Sequence, residues 1–141
     1  LLGTNKLQQI TLVKNAIHRP DEPRHFMQFA YPDTTFTASV GRIELARTTN
    51  ALVLSEVGYS IYEPVVYFPC TDVHTEQLEK IEKTTFCPLK GDTEYFNLRV
   101  GAGNHDKEIA WRYDRPLSFA QTLLNYIGFD KNKVHVENSR S

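Results

Sequence analysis

The chain has 141 residues, 16 of them basic and 17 acidic, for a formal net charge of −1, and this length suits one domain with a core of its own. So even a balance lacks the broad positive field that draws nucleic acid or an anionic membrane, and neither partner is expected. No apolar run reaches the roughly 18 to 20 residues that span a bilayer, and Asn5, Lys6, Gln8 and Gln9 interrupt the opening Leu1 to Val13, so a cytoplasmic protein is expected.

Residues 1–17 read as an appendage, in which Leu7, Ile10, Thr11 and Lys14 stand at helical spacing and predict one short amphipathic helix. Pro20, Pro23 and Pro32, interspersed with Asp21, Glu22 and Asp33, predict an extended connector, since each proline removes a backbone donor and biases its predecessor away from helix. From Thr34 the period becomes two. Phe36, Ala38 and Val40 alternate with Thr35, Thr37 and Ser39, and Gly41 turns the chain into Ile43-Glu44-Leu45-Ala46, which predicts a hairpin. After the turn Thr48-Thr49-Asn50, the runs Ala51 to Val57 and Val65 to Phe68 are apolar on both faces, as strands in a two-layer core are, with Gly58 and Pro64 bounding the loop between them.

Two segments break the strand pattern. Thr75 to Lys83 carries Leu78 and Ile81 behind a Thr75 cap and predicts a short helix. Pro116 suits a first helical position, Phe119, Ala120, Leu123, Leu124 and Tyr126 form an apolar face, and Gly128 offers a stop, so a longer helix is predicted there. Between them Glu94 to Val100 alternates, as do Ile109, Trp111 and Tyr113 after the glycine-rich loop 101–106, and Lys133 to Glu137 closes the series. The sum predicts a mainly β domain of rolled antiparallel sheets, half-barrel or sandwich-like, with one short and one longer helix. Residues 18–137 form this single domain and 138–141 a tail.

The reactive side chains gather in Thr84 to Gly91, Tyr95 and Trp111-Arg112-Tyr113. Cys70 and Cys87 are too far apart for a CxxC motif, and free thiols are expected. Cys87 is either a nucleophile activated by a cation such as Lys90 or, more simply, a buried small hydrophobe, because no base stands beside it in sequence. Lys90, between a proline turn and Gly91, either clasps a carboxylate or phosphate or is a solvated turn residue. Asp72 reads first as a cap for backbone donors and second as a general base or a counter-ion for Lys90. Trp111 and Tyr113 share a strand face, as core or as an aromatic wall that Tyr95 joins. A local anion site is otherwise offered by Arg42 with Arg47. The five histidines lack ligand spacing; Cys87 with His74 and a carboxylate would satisfy zinc chemically, but no metal site and no cofactor is expected.

The motifs Val65-Val66-Tyr67-Phe68-Pro69-Cys70-Thr71-Asp72-Val73, Thr84-Thr85-Phe86-Cys87-Pro88-Leu89-Lys90-Gly91, Ala110-Trp111-Arg112-Tyr113 and Tyr126-Ile127-Gly128-Phe129 follow one another in an order that resembles the bacterial family named domain of unknown function 427. The resemblance covers roughly residues 18–137 and implies a small, mostly β protein without an assigned activity. The family also carries a nucleotidyltransferase-like label, although no nucleotidyltransferase metal pattern is present. Cys70 stands where the family usually has a basic or other polar residue, so a shared role is not expected to rest on it.

Three functions remain open on these grounds. The first is binding of a small anionic or planar molecule, with Lys90 and Arg112 on the charge and Tyr95, Trp111 and Tyr113 lining the pocket. The second is an enzyme in which Cys87 attacks an electrophile or Asp72 moves a proton while Lys90 stabilises negative charge. The third is a protein-interaction module using a strand edge or the N-terminal segment, and a homo-oligomer is compatible with any of the three.

Overall fold

A computed structural model of the chain describes residues 12–101 and 103–139. Strands are numbered along the chain. One sheet holds eight, in the spatial order β1 (Ile17–Arg19), β2 (Glu22–Ala30), β5 (Leu52–Val57), β6 (Val65–Pro69), β10 (Tyr126–Phe129), β9 (Ala110–Pro116), β8 (Gly91–Leu98) and β7 (Leu78–Cys87). A second sheet holds β11 (His135–Ser139), β3 (Thr35–Val40) and β4 (Ile43–Thr48). All neighbouring strands run antiparallel, and the large sheet curls into a half-barrel.

Period-two alternation gives each face of the large sheet its own core. Phe68, Leu98, Ala110, Ile127 and Phe129 point to the small sheet and pack with Phe36, Ala38, Leu45 and Ala46. Met27, Leu52, Leu54, Tyr67 and Tyr113 point to the hollow side, where Leu89, Ala120 and Leu123 from loops cover them. The predicted hairpin over Phe36 to Val40 and Ile43 to Ala46 is β3–β4, with Gly41 at φ +57° in its turn. The other expected strands overlap β5, β6, β8, β9 and β11, but Ala51, Ile109, Lys133 and Val134 precede the strands expected to hold them, and Arg99 and the exposed Val100 lie beyond the end of β8.

Both expected helices are absent: the described residues contain short 3-10 turns and no α-helix. Thr75–Gln77 is one such turn, without a side-chain cap, and Leu78–Cys87 is the outermost strand of the large sheet. Glu79, Lys80, Glu82 and Lys83 are exposed along it, and such charges protect a sheet edge from pairing with another chain. The helical spacing of Leu78 and Ile81 arose by chance in an edge strand that buries few side chains. The second expected helix fails because Pro116 ends β9, and Ser118–Leu123 forms 3-10 turns kinked at Ala120. Ala120 and Leu123 are buried as the apolar face required, but Asn125 at φ +70° then turns the chain into β10. The proline-rich connector is extended as expected but pairs as β1–β2. Pro23 sits ahead of the Phe26↔Val57 pair at which β2 joins β5, so its missing donor breaks no bond to β5. Residues 1–11 of the expected amphipathic helix lie outside the described residues; residues 12–16 contain a turn, and Ile17 opens β1.

Gly128, expected as a helix stop, instead sits at the centre of the large sheet, paired with Trp111 on one side and Tyr67 on the other. A Cβ there would stand 3.0 Å from ring atoms of both, so the glycine is the gap across which Trp111 Nε1 donates to the Tyr67 hydroxyl at 3.1 Å. Gly128→Val should therefore lower stability by about 2 kcal/mol, the usual cost of overpacking. Urea unfolding measures this, and a loss below about 0.5 kcal/mol would show that the rings are not held in this geometry.

Candidate functional site

β2 and β5 are neighbours paired at Met27↔Glu56, and alternation puts Glu56 on the hollow face after Leu52 and Leu54, and His25 on the same face as Met27. Far along the sheet, β7 ends at Cys87 and a tight turn leads through Leu89 and Lys90 into β8. Two features fix that turn. Leu89 is fully buried in the hollow-side core. Gly91 has φ +113°, and a Cβ on it would meet the Arg115 carbonyl oxygen at 2.5 Å, so no other residue fits. The turn is thereby folded over the hollow face, where its side chains reach the opposite end of the sheet.

Lys90 Nζ donates to Glu56 Oε1 at 2.5 Å, and His25 Nε2 lies 2.8 Å from Glu56 Oε2, so one carboxylate links both bases. The three side chains are 12 to 15% exposed. The Lys90 ammonium also lies over the Tyr113 ring, 5.3 Å from its centre, an attractive placement for a desolvated cation. Burial disfavours charge on Lys90, but the neighbouring Tyr67 and Tyr113 oxygens and the Glu56 carboxylate outweigh it and raise its pKa above the ordinary lysine value. Both tyrosines are held neutral by burial, so near neutral pH the charge that Lys90 meets is that of Glu56. Burial pushes the Glu56 carboxyl up, yet Lys90 and His25 together pull it below its ordinary value.

Two members of this ionic chain, His25 and Glu56, line an open cleft of about 670 Å³, while Lys90 holds Glu56 from outside the lining. Tyr59, Tyr62 and Phe86 form its aromatic walls, and Cys87 lies beside His25 and Glu56, with one donor atom of each of the three within 4.8 Å of the others. Tyr59 and Phe86 are exposed. Arg19 and Arg24 line the rim and are paired with Asp21 and Glu22 respectively.

Of the residues singled out from sequence, Cys87 lines the cleft, and Lys90 and Tyr113 join it through the contact of Lys90 with Glu56. Tyr95 and Trp111 pair across β8 and β9 on the same face but further along it. Tyr95 bonds Thr85 and carries Lys83 over its ring, while Trp111 borders a separate hollow of about 370 Å³ with Val65, Val66 and Phe129. Arg112 belongs to the opposite face, where it binds the buried Glu94 and lies over Phe96, with Cys70 alongside. Asp72 neither caps a turn with its side chain nor meets Lys90: its Oδ2 accepts the Thr48 hydroxyl at 2.7 Å, and that hydroxyl in turn accepts the Asn50 amide, tying the β4–β5 connection to the 3-10 turn Cys70–Asp72 that follows β6. His74 is exposed beside Glu76, so the histidine near Cys87 is His25. Arg47 is engaged by Glu44. Glu56 and His25 were missed by the sequence reading. The signal for Glu56 was present, as a charge continuing the buried Leu52, Leu54 positions of an alternating strand.

The model of the family described as domain of unknown function (DUF427) matches residues 32–140, and the chain belongs to that family. The matched span includes Glu56, Cys87 and Lys90, while His25 precedes it. None of the curated proteins matches the chain. No helix among the described residues is long and apolar enough to cross a membrane.

The depressed Glu56 pKa sets the sign of an acid effect. A carboxyl lowered on folding stabilises the protein above its ordinary value of 4.5 and loses that contribution as pH falls through the folded value. Urea midpoints of the wild type should therefore drop more steeply than those of Glu56→Gln between about pH 6 and pH 3, the two proteins converging in acid. Equal acid slopes would show that the carboxylate does not stabilise the fold.

Proposed function

We propose that the domain binds a small planar molecule bearing a polar or anionic group in the cleft above Glu56. What carries this reading is the combination of a buried Lys90–Glu56–His25 chain with an open mouth lined by Tyr59, Tyr62 and Phe86. Mostly apolar walls with a few convergent polar groups are the common composition of a ligand site, and exposed aromatics around a concavity are costly unless something covers them. His25 and Glu56 line the cleft side by side, with Lys90 fixing the carboxylate, which suits a ligand group offering both a donor and an acceptor, such as a carboxylic acid, an amide or the edge of a heterocycle. Tyr113 then serves as the ring beneath the ammonium. Trp111 acts at one remove by holding Tyr67, and Tyr95 and Arg112 brace other parts of the sheet.

One observation favours a second reading. His25, held by Glu56, supplies next to Cys87 the base that the sequence lacked. In this version the Cys87 sulfur adds to an electrophilic carbonyl carbon of the bound molecule, and the thiol proton passes through His25 to the carbonyl oxygen.

A set of nucleotides, phosphorylated metabolites, small carboxylates and planar heterocycles should be tested by thermal shift and calorimetry against wild type, Phe86→Ala and Tyr62→Ala. A ligand is expected whose affinity falls about tenfold in each variant, the worth of one aromatic contact. Unchanged affinity in both variants, or no stabilising ligand in the set, would count against the cleft as the site. Alkylation of Cys87 in the native protein at the rate of a denatured control, abolished in His25→Ala, would move the balance to the thiol reading.

A further inference from the structure

We infer that Cys87, His25 and Glu56 form a binding site for a soft divalent transition metal, zinc by preference, with one coordination position open to the cleft. Such a site needs no organic molecule in the cleft. The three residues offer sulfur, imidazole nitrogen and carboxylate oxygen, the donor types that zinc takes, and nothing harder or softer is needed to complete the set. Their donor atoms lie within 4.8 Å of one another. Zinc bonds of about 2.0 to 2.3 Å place tetrahedral neighbours about 3.3 to 3.8 Å apart, so side-chain rotation of about 1 Å brings in Cys87 and parts His25 Nε2 from Glu56 Oε2, which stand 2.8 Å apart. No strand has to move. Glu56 lies on β5, in register with Met27 of β2, the strand that carries His25. Cys87 closes β7 at the turn that Leu89 and Gly91 fix.

The surroundings suit a metal as well as the donors do. Lys90 engages Glu56 Oε1, which leaves Oε2 and His25 Nε2 facing each other at 2.8 Å; the metal takes the place of the proton between them. A ligating carboxylate held by a second hydrogen bond is the usual support of such a site. Three protein ligands beside an open cleft of about 670 Å³ leave the fourth position to water or a bound molecule, the arrangement of zinc sites that do chemistry rather than staple a fold. The Cys87 thiolate and Glu56 carboxylate balance a dication, so the Lys90 ammonium leaves a single positive charge, and an anion is the favoured fourth ligand. The sequence concealed the set because its members come from strands separated by about 30 residues of chain each.

Tag-free protein stripped of metal should be titrated with zinc by calorimetry and with cobalt by absorption spectroscopy. The expected result is one metal per chain, with an intense near-ultraviolet thiolate-to-cobalt band and visible ligand-field bands of a four-coordinate ion. Cys87→Ala should abolish the thiolate band, and His25→Ala should weaken zinc by about a hundredfold. Cys70→Ala should leave both intact. Zinc should also protect Cys87 of the wild type from alkylation, a readout that requires no variant to fold. Absence of stoichiometric binding, a cobalt spectrum without the thiolate band, or binding that survives Cys87→Ala would overturn the inference.

Discussion

The Lys90–Glu56 ion pair is the contact on which this architecture turns. β5 is third in the large sheet and β8 seventh, so a bond from the turn before β8 to a side chain of β5 crosses the whole hollow. An open twisted sheet does not bring such distant strands together; a curled one does. Burying the pair is costly in itself, and it is tolerable only because each charge is well satisfied. Glu56 uses one oxygen for Lys90 and the other for His25, and Lys90 adds the Tyr113 ring. The same clasp determines where the half-barrel is closed and where it stays open, and the open part is the cleft.

The division of labour between the two faces follows from alternation. Facing the small sheet, the large sheet is packed as a sandwich interior around Phe68, Ile127 and Phe129. On the hollow face there is no second sheet to meet, so the chain fills the space with loops, with large polar-tipped aromatics and with an ion pair. Tyr67, Trp111 and Tyr113 suit that face because each covers apolar area while its polar atom finds a partner or lies close to Lys90. The reactive groups therefore sit where packing is least complete, which is also where a ligand or metal has room.

Much of the fold was legible in the sequence, and the failures have identifiable causes. The β3–β4 hairpin and the strands β5, β6, β8 and β9 could be read because one or both of their faces are buried, so that period-two alternation or a continuous apolar run is written into them. β7 was misread because an edge strand buries little and its charges obey no period. β10 was misread because four residues, Tyr126 to Phe129, are too few to show a period and Gly128 imitates a helix stop. The site was half legible. Cys87, Lys90 and Tyr113 stood out by chemistry, whereas Glu56 and His25 join them only through the curl of the sheet, and Asp72 proved to be engaged by Thr48. Local sequence carries no record of a contact that spans three intervening strands.

A double-mutant cycle on the clasp addresses the central claim most directly. Glu56→Leu and Lys90→Met are made singly and together, and their unfolding free energies are compared in urea near neutral pH. Each single variant leaves a buried partner without its counter-charge and should cost about 3 kcal/mol or more, while the double variant recovers a large part of that loss, giving a coupling of at least about 2 kcal/mol. Free energies that add to within about 0.5 kcal/mol would mean that the two residues act independently and that the half-barrel is held closed by something else.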